Sequence, residues 1–174
     1  VAMSNEKSSV APPLGAFNAD LSQSSVSGLS SGAFMTVQLH LAHSATFVGA
    51  GIIAGGPFRC AESYRAAAAI AEDALTLNAL YVCMNPLIPQ AAPNPAKLAE
   101  VGQETAAQGL IDAVENLAGQ RVYIFTGTED KVVDSSVVDT TRRFYEMLGV
   151  APAAIHYENT LPAGHSIITD NPED

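Results

Sequence analysis

The sequence predicts an α/β protein whose core is a parallel β-sheet with flanking helices. Short apolar segments bounded by turn residues recur along the chain, and segments with helical spacing of apolar residues separate them. Polar, glycine-bearing motifs follow three of the apolar segments, which is where functional loops gather in parallel sheets. Strands that alternate with helices in this way form parallel sheets with right-handed crossovers.

The elements are expected in a regular order, after a polar, proline-bearing segment over residues 1–18 for which we predict no regular structure. The apolar run over 46–54 is typical of a strand buried on both faces. Asn94 and Asp134 suit the N-cap positions of two helices. The pattern predicts strands over 23–29, 46–54, 121–126 and 154–158, helices over 31–44, 65–81, 95–117 and 134–148, and a proline-rich loop over 86–95.

Composition excludes several classes of function. The chain has 174 residues, 48% hydrophobic and 15% charged, with a formal net charge of −10, so we expect one domain over residues 1–174. An acidic chain without a Lys/Arg cluster repels phosphate backbones, so no nucleic-acid partner is expected. No apolar run is long enough to span a membrane. No phosphate-binding glycine loop or metal-ligand spacing is present, so we expect no cofactor and no metal.

Two histidines on the first predicted helix, His40 and His43, are three residues apart. That spacing can bind a metal ion, but no carboxylate or cysteine stands close to them in sequence. A packing or surface role is therefore the stronger interpretation.

The motif Gly28-Leu29-Ser30-Ser31-Gly32 fits G-x-S-x-G between a predicted strand and a predicted helix. This context is that of a nucleophile elbow, with Ser30 as the nucleophile. The helix that follows directs its free N–H groups toward the serine, so the Ser31 amide is the candidate oxyanion donor. On its own the pentapeptide is a weak signal, because a Ser/Gly-rich turn looks the same.

Two later segments strengthen the hypothesis. Asp130 follows the third predicted strand and His165 follows the fourth, so the chain order is Ser, Asp, His, as in α/β hydrolases. His165 would act as the base that takes the serine proton, and Asp130 would orient the imidazole. Glu129 and Asp134 are alternative acids. Asp134 is better explained as a helix cap, and His156 lies within a strand.

Several segments together resemble the esterase/poly(3-hydroxybutyrate) depolymerase family. They are Val26–Met35 around the elbow, Ala54–Ala61, Cys83-Met84, Gly109–Asp112, Phe125–Asp130 and Gly164-His165. The resemblance implies hydrolysis of short-chain hydroxyalkanoate polyesters or small esters by a secreted protein, extracellular or periplasmic. It also implies a disulfide between Cys60 and Cys83; the cysteine count alone allows that pair without demanding it.

An α/β hydrolase normally has several strands before its elbow, and a loop among them donates a second oxyanion N–H. Here only 27 residues precede Gly28. Some fungal-type depolymerases are circularly permuted, with the elbow near the N-terminus. By this resemblance we expect the sequence to be the N-terminal part of such a domain, incomplete at its C-terminus. A partner chain or a dimer would then complete the sheet.

Two other functions fit the same residues. A feruloyl or acetyl-xylan type esterase has a related elbow and would hydrolyse aromatic or acetyl esters without acting on polyesters. A non-catalytic binding module derived from a hydrolase would bind its ligand without forming an acyl-enzyme.

Overall fold

Four strands form one parallel sheet in the computed structural model, which describes residues 13, 15–64 and 73–169. The strands are β1 (Val26–Leu29), β2 (Gly49–Ile53), β3 (Arg121–Phe125) and β4 (Ile155–Glu158). Their spatial order is β1-β2-β3-β4, and each strand pairs in parallel with the next. The predicted parallel sheet is confirmed, and the carboxyl ends of all four strands lie at one edge.

Helices connect the strands. Within the described ranges the α-helices are α1 (Ser31–Ala42), α2 (Ala74–Asn78), α3 (Pro95–Ala107) and α4 (Ser135–Met147). Both predicted caps are confirmed: the Asn94 side chain accepts from the Lys97 N–H at 3.1 Å, and Asp134 accepts from the Ser136 N–H at 2.9 Å. No helix among the described residues has the length and apolar content that a membrane crossing requires.

The helix predicted to continue to about Leu117 ends instead at Ala107. Gly109 adopts a left-handed φ of 69°, and its N–H donates to the Ala106 carbonyl at 2.8 Å. The Leu110 N–H reaches back to the Thr105 carbonyl at 3.2 Å. These two bonds form a Schellman C-cap, which satisfies the last carbonyls and turns the chain away. A separate 3₁₀ turn then covers Val114–Gly119.

The helix predicted over 65–81 falls partly on residues 65–72, which lie outside the described residues. In the remainder, the short α2 is followed by a π-helical turn over Ala79–Met84, so one continuous α-helix is not formed there. Most of the segment predicted to be irregular, residues 1–18, is also outside the described residues.

One face of the sheet carries the core. Ala50, Ile52, Val122 and Ile124 are buried against the helices, and α1 and α4 pack on this face. On the other face the side chains of Tyr123 and His156 are exposed in the described part of the chain, and their rings stack with centroids 5.4 Å apart. The prediction that β2 is buried on both faces holds only in part: on the second face Gly49 is buried, but Gly51 and Ile53 remain partly exposed.

His40 is a buried packing residue of α1. Its Nδ1 lies 2.9 Å from the hydroxyl oxygen of Tyr145 on α4, and both side chains are fully buried. Burial lowers the pKa of His40 to about 4, although the neighbouring Gln120 side chain acts in the opposite direction. The imidazole is therefore neutral at physiological pH and links α1 to α4. His43, by contrast, is exposed.

This buried imidazole predicts acid-sensitive stability. The unfolded chain takes up a proton on His40 near pH 6.5, whereas the folded chain does so only near pH 4. The unfolded state binds more protons between these values, so the free energy of unfolding falls as the pH drops through this window, by up to about 3 kcal/mol. Urea unfolding at pH 7 and at pH 4.5 measures this loss. We expect His40→Gln to reduce the loss and His43→Gln to preserve it; an equal loss in both variants would contradict the assignment.

Candidate active site

Ser30 lies in the sharp turn between β1 and α1, in a backbone conformation that few residues adopt. Its φ of 56° and ψ of −122° fall outside the ordinary regions for residues with a side chain. The Ser30 N–H donates to the Ile53 carbonyl at 2.9 Å, and the Ser30 carbonyl accepts from the Phe34 N–H at 3.0 Å. Strained backbone held from both sides, at a serine between a strand and a helix, is the geometry of a nucleophile elbow.

Gly28 is required by close packing within this turn. A Cβ at Gly28 would collide with the backbone carbonyl group of Gly32, because the end of β1 passes directly over the first turn of α1. The space beside Gly32 is open, so contact does not explain the second glycine of the motif.

Ser31 is the first residue of α1 and is exposed. The first N–H groups of an α-helix have no acceptor within the helix, and they carry the positive end of its dipole. The Ser31 amide therefore lies beside Ser30 with the polarity that a developing oxyanion needs. Its role as an oxyanion donor stays a prediction.

Asp130 and His165 are brought together. The Asp130 Oδ2 lies 2.8 Å from the His165 Nδ1, and the side chains are 1% and 19% exposed. The other carboxylate oxygen of Asp130 accepts from the N–H groups of Val132 and Val133, at 2.8 and 3.0 Å. One carboxylate oxygen is therefore held by the backbone while the other faces the imidazole.

The environment of Asp130 favours its ionised form. Burial alone would raise the pKa of this carboxyl, but the hydrogen bond with His165 and those from Val132 and Val133 outweigh burial and hold the pKa below its ordinary value. The carboxylate is charged at neutral pH, so it accepts the Nδ1–H of His165. That tautomer leaves the Nε2 lone pair free for proton transfer.

β1 and β4 are the two outer strands of the sheet, so the loops that carry Ser30 and His165 start on opposite sides. The loop after β4 folds back across the loop after β3. The Thr128 N–H donates to the Leu161 carbonyl at 2.9 Å, and the Glu129 N–H donates to the Ala163 carbonyl at 3.1 Å. A Cβ at Gly127 would collide with the same Ala163 carbonyl, so this crossing requires glycine at position 127. The crossing brings His165, which follows the outer strand β4, within hydrogen-bond distance of Asp130, which follows β3.

The alternative acids and base are placed elsewhere. The Asp134 side chain caps α4, Glu129 is exposed, and His156 stacks on Tyr123 within the sheet. No hydrogen bond in the described part of the chain joins the Ser30 hydroxyl to His165. In ligand-free hydrolases such bonds often form only with substrate. The triad assignment of Ser30, Asp130 and His165 remains a prediction that this geometry supports.

Cys60 and Cys83 form a disulfide with their Cα atoms 5.9 Å apart, as the resemblance implied. Beside it a cavity of about 540 Å³ opens at Ser30 and Ser31. Phe34 contacts both the core and the small cluster around the disulfide. Within the described residues, no group of three His, Cys, Asp or Glu side chains could hold a metal ion.

Comparison with known proteins gives the relationship. The chain is 42% identical over 159 residues to a poly(3-hydroxybutyrate) depolymerase of Delftia acidovorans, across 91% of the chain and 29% of that protein. This chain is related to the poly(3-hydroxybutyrate) depolymerases. A polyhydroxybutyrate depolymerase of Talaromyces funiculosus is 32% identical over 162 residues, across 92% of the chain and 42% of that protein. The chain thus spans less than half the length of either depolymerase. No family model matches it.

Solved depolymerase structures share the fold. The PHB depolymerase from Penicillium funiculosum superimposes with a TM-score of 0.65 at 28% identity, over 88% of the chain and 42% of that structure. A serine-to-alanine variant of a PHB depolymerase, complexed with an R3HB trimer, superimposes with a TM-score of 0.68 at 29% identity and the same coverage. The predicted α/β-hydrolase-like sheet is confirmed by these neighbours.

Sequence reasoning missed the cavity beside Ser30. Its walls come from α1 and from two segments, around residues 60 and 80, that only the disulfide and the fold bring together. The i, i+4 spacing of Phe34 and Gln38 after the elbow was a signal for one wall, since both lie on the helix face that begins at Ser31.

Proposed function

We propose that this chain carries the catalytic serine of a carboxylic-ester hydrolase that cleaves short-chain polyhydroxyalkanoate, poly(3-hydroxybutyrate) or its oligomers, through an acyl-enzyme. The observation that carries the proposal is the Asp130–His165 pair at the same sheet edge as the strained Ser30. The relationship to the depolymerases supports the polyester as the substrate class.

The proposed mechanism has two halves. In acylation, the Ser30 Oγ attacks the ester carbonyl carbon while His165 Nε2 accepts the hydroxyl proton. The Ser31 N–H stabilises the oxyanion, and collapse of the tetrahedral intermediate breaks the bond to the alcohol, which receives the proton from His165. In deacylation, His165 takes a proton from water, and the resulting nucleophile attacks the acyl carbon. The acid is released and Ser30 regains its proton.

The role proposed for Asp130 follows from its charge. An ionised carboxylate hydrogen-bonded to Nδ1–H stabilises the imidazolium that forms in each half-reaction. Its second oxygen is held by two backbone amides, so the carboxylate cannot rotate away from the ring without losing both bonds.

We also propose that the protein is secreted, either extracellular or periplasmic, and so resides in an oxidising compartment. The support is the Cys60–Cys83 disulfide, because such bonds persist mainly in secreted proteins.

Covalent labelling and product analysis test the proposed function. We expect a fluorophosphonate probe to add once, on Ser30, as shown by intact mass and peptide mapping. The same chain should release shorter acids from a 3-hydroxybutyrate trimer. Turnover of feruloyl or acetyl-xylan esters without turnover of the trimer would overturn the substrate class. Neither labelling nor turnover, with ligand binding retained, would favour the non-catalytic module.

A further inference from the structure

The cavity beside Ser30 is a groove that runs along α1. Ser31, Phe34, Met35 and Gln38 line it, and these positions form one face of the helix. Ser31 and Gln38 are seven positions apart, so this wall is about 10 Å long at 1.5 Å per residue. One end of the groove is Ser30 itself, and the volume of about 540 Å³ is in the range of small-molecule sites.

The opposite wall is largely apolar and is fastened in place. It consists of the Cys60–Cys83 disulfide, Ala61, Ala79 and Met84. The disulfide joins the segment around residue 60 to the π-helical turn, and the Met84 carbonyl accepts from the Asp134 N–H at 2.7 Å. These covalent and backbone links hold the wall against the core, and the Ala79 and Met84 side chains face the groove, Met84 also packing on the core.

The far end of the groove is polar. The Arg59 guanidinium donates to both carboxylate oxygens of Glu62, at 2.7 and 2.6 Å, and to the Thr105 hydroxyl at 3.1 Å. Among the described residues that line the groove Arg59 is the cation, and Glu62 pairs its positive charge. Its apolar length is bounded by Ser30 at one end and by this ion pair at the other.

The position of His165 decides which part of an ester fits the groove. A leaving alcohol must lie near His165, because the imidazole returns the proton to it. Ser30 and Ser31 line the groove, whereas His165 and Asp130 are not among its lining residues. The groove therefore lies on the α1 side of Ser30, on residues other than the base and its acid. That side is the one open to the acyl part of the substrate.

We infer that this groove binds the acyl chain of the ester, and that Ala79 and Met84 determine the acyl lengths that the chain accepts. The inference rests on the proposed function, since it assigns a side of the same site. An aliphatic acyl group gains binding free energy when its methylenes are buried against the disulfide, Phe34 and Met84. One methylene in such a pocket changes kcat/KM by about tenfold or more.

A chain-length profile tests the inference with variants of the full chain. With p-nitrophenyl esters from acetyl to octanoyl, we expect Ala79→Phe to lower the octanoyl-to-acetyl ratio of kcat/KM by at least about tenfold. Met84→Ala should raise that ratio. Both variants should still be labelled by fluorophosphonate at Ser30, which shows that the catalytic serine remains reactive while the ratio changes.

Two matched control variants make the same substitutions at an alanine and a methionine outside the groove. Ala118→Phe alters an exposed alanine in the turn before β3, at the opposite edge of the sheet, and Met147→Ala alters a half-exposed methionine at the end of α4. Both should leave the ratio unchanged. If Ala79→Phe does not fold, Ala61→Leu can replace it, because it narrows the groove from the same wall.

The outcomes separate the two proposals. An unchanged ratio in groove variants that remain active would overturn the acyl-groove assignment while leaving the esterase intact. Failure of the unaltered chain to hydrolyse any ester would overturn the proposed function, and the groove assignment with it.

Discussion

Ser30→Ala is expected to lower kcat for ester hydrolysis by at least about 10⁴-fold and to abolish fluorophosphonate labelling. The hydroxyl is the only part of residue 30 that can form the acyl bond, and its removal leaves no nucleophile in the turn. Alanine has the same backbone restrictions as serine at a φ of 56°, so the change adds no new strain to the elbow. Steady-state kinetics on a soluble short-chain ester, together with the unfolding midpoint, measure both effects.

Ser31→Ala is the matched control. This neighbouring serine is exposed, and the role proposed for it belongs to its backbone N–H, which alanine retains. We expect kcat/KM to change by no more than about threefold, since only a surface hydroxyl is lost. Loss of labelling in Ser31→Ala with retention in Ser30→Ala would show that the nucleophile is the second serine of the motif.

Asp130→Asn is expected to lower kcat by about 10⁴-fold while leaving the fold intact, as the corresponding substitution does in serine-protease triads. The amide is close to isosteric with the carboxylate and keeps an oxygen for the Val132 and Val133 N–H groups. It has no charge to stabilise the imidazolium, and its NH₂ group favours the tautomer of His165 that leaves Nε2 protonated. Ester kinetics and thermal unfolding separate these effects.

The competing acids provide the controls for Asp130. Asp134→Asn keeps a good N-cap for α4, because Asn and Asp cap about equally well. Glu129→Gln alters an exposed side chain. Both variants should hydrolyse esters at close to the original rate. A large loss in either one, with Asp130→Asn active, would reassign the acid.

The features that depend on neighbouring residues could be predicted from the sequence. The elbow glycines, the caps at Asn94 and Asp134 and the strand–helix order each depend on residues a few positions apart, and short-range patterns record such interactions directly. The pairing of Asp130 with His165 was predictable for a related reason. Parallel strands bring their carboxyl ends to one edge, so residues that follow strands meet even when 35 positions separate them.

Two predicted features differ from the structure for different reasons: a local cap ends one helix early, and the placement of the helices decides what covers one strand. The helical spacing of apolar residues continues beyond Ala107, but the Schellman cap at Gly109 ends the helix there. The spacing does not show that the cap is the stronger influence, so the helix was predicted too long. The apolar composition of β2 predicted two buried faces, but composition does not record which side of a sheet the helices occupy. In the described residues they pack on one side, and Gly51 and Ile53 stay partly exposed.

The sequence by itself determined the fold class, the order of the candidate catalytic residues and the turn that strains Ser30. Only the tertiary structure decided that the loop carrying His165 crosses back over Gly127, and that the disulfide forms one wall of a groove beside the serine. The physical reason is range. Caps, elbows and strand periodicity arise from neighbours along the chain, whereas a cavity is the space left between segments that the whole fold has brought together.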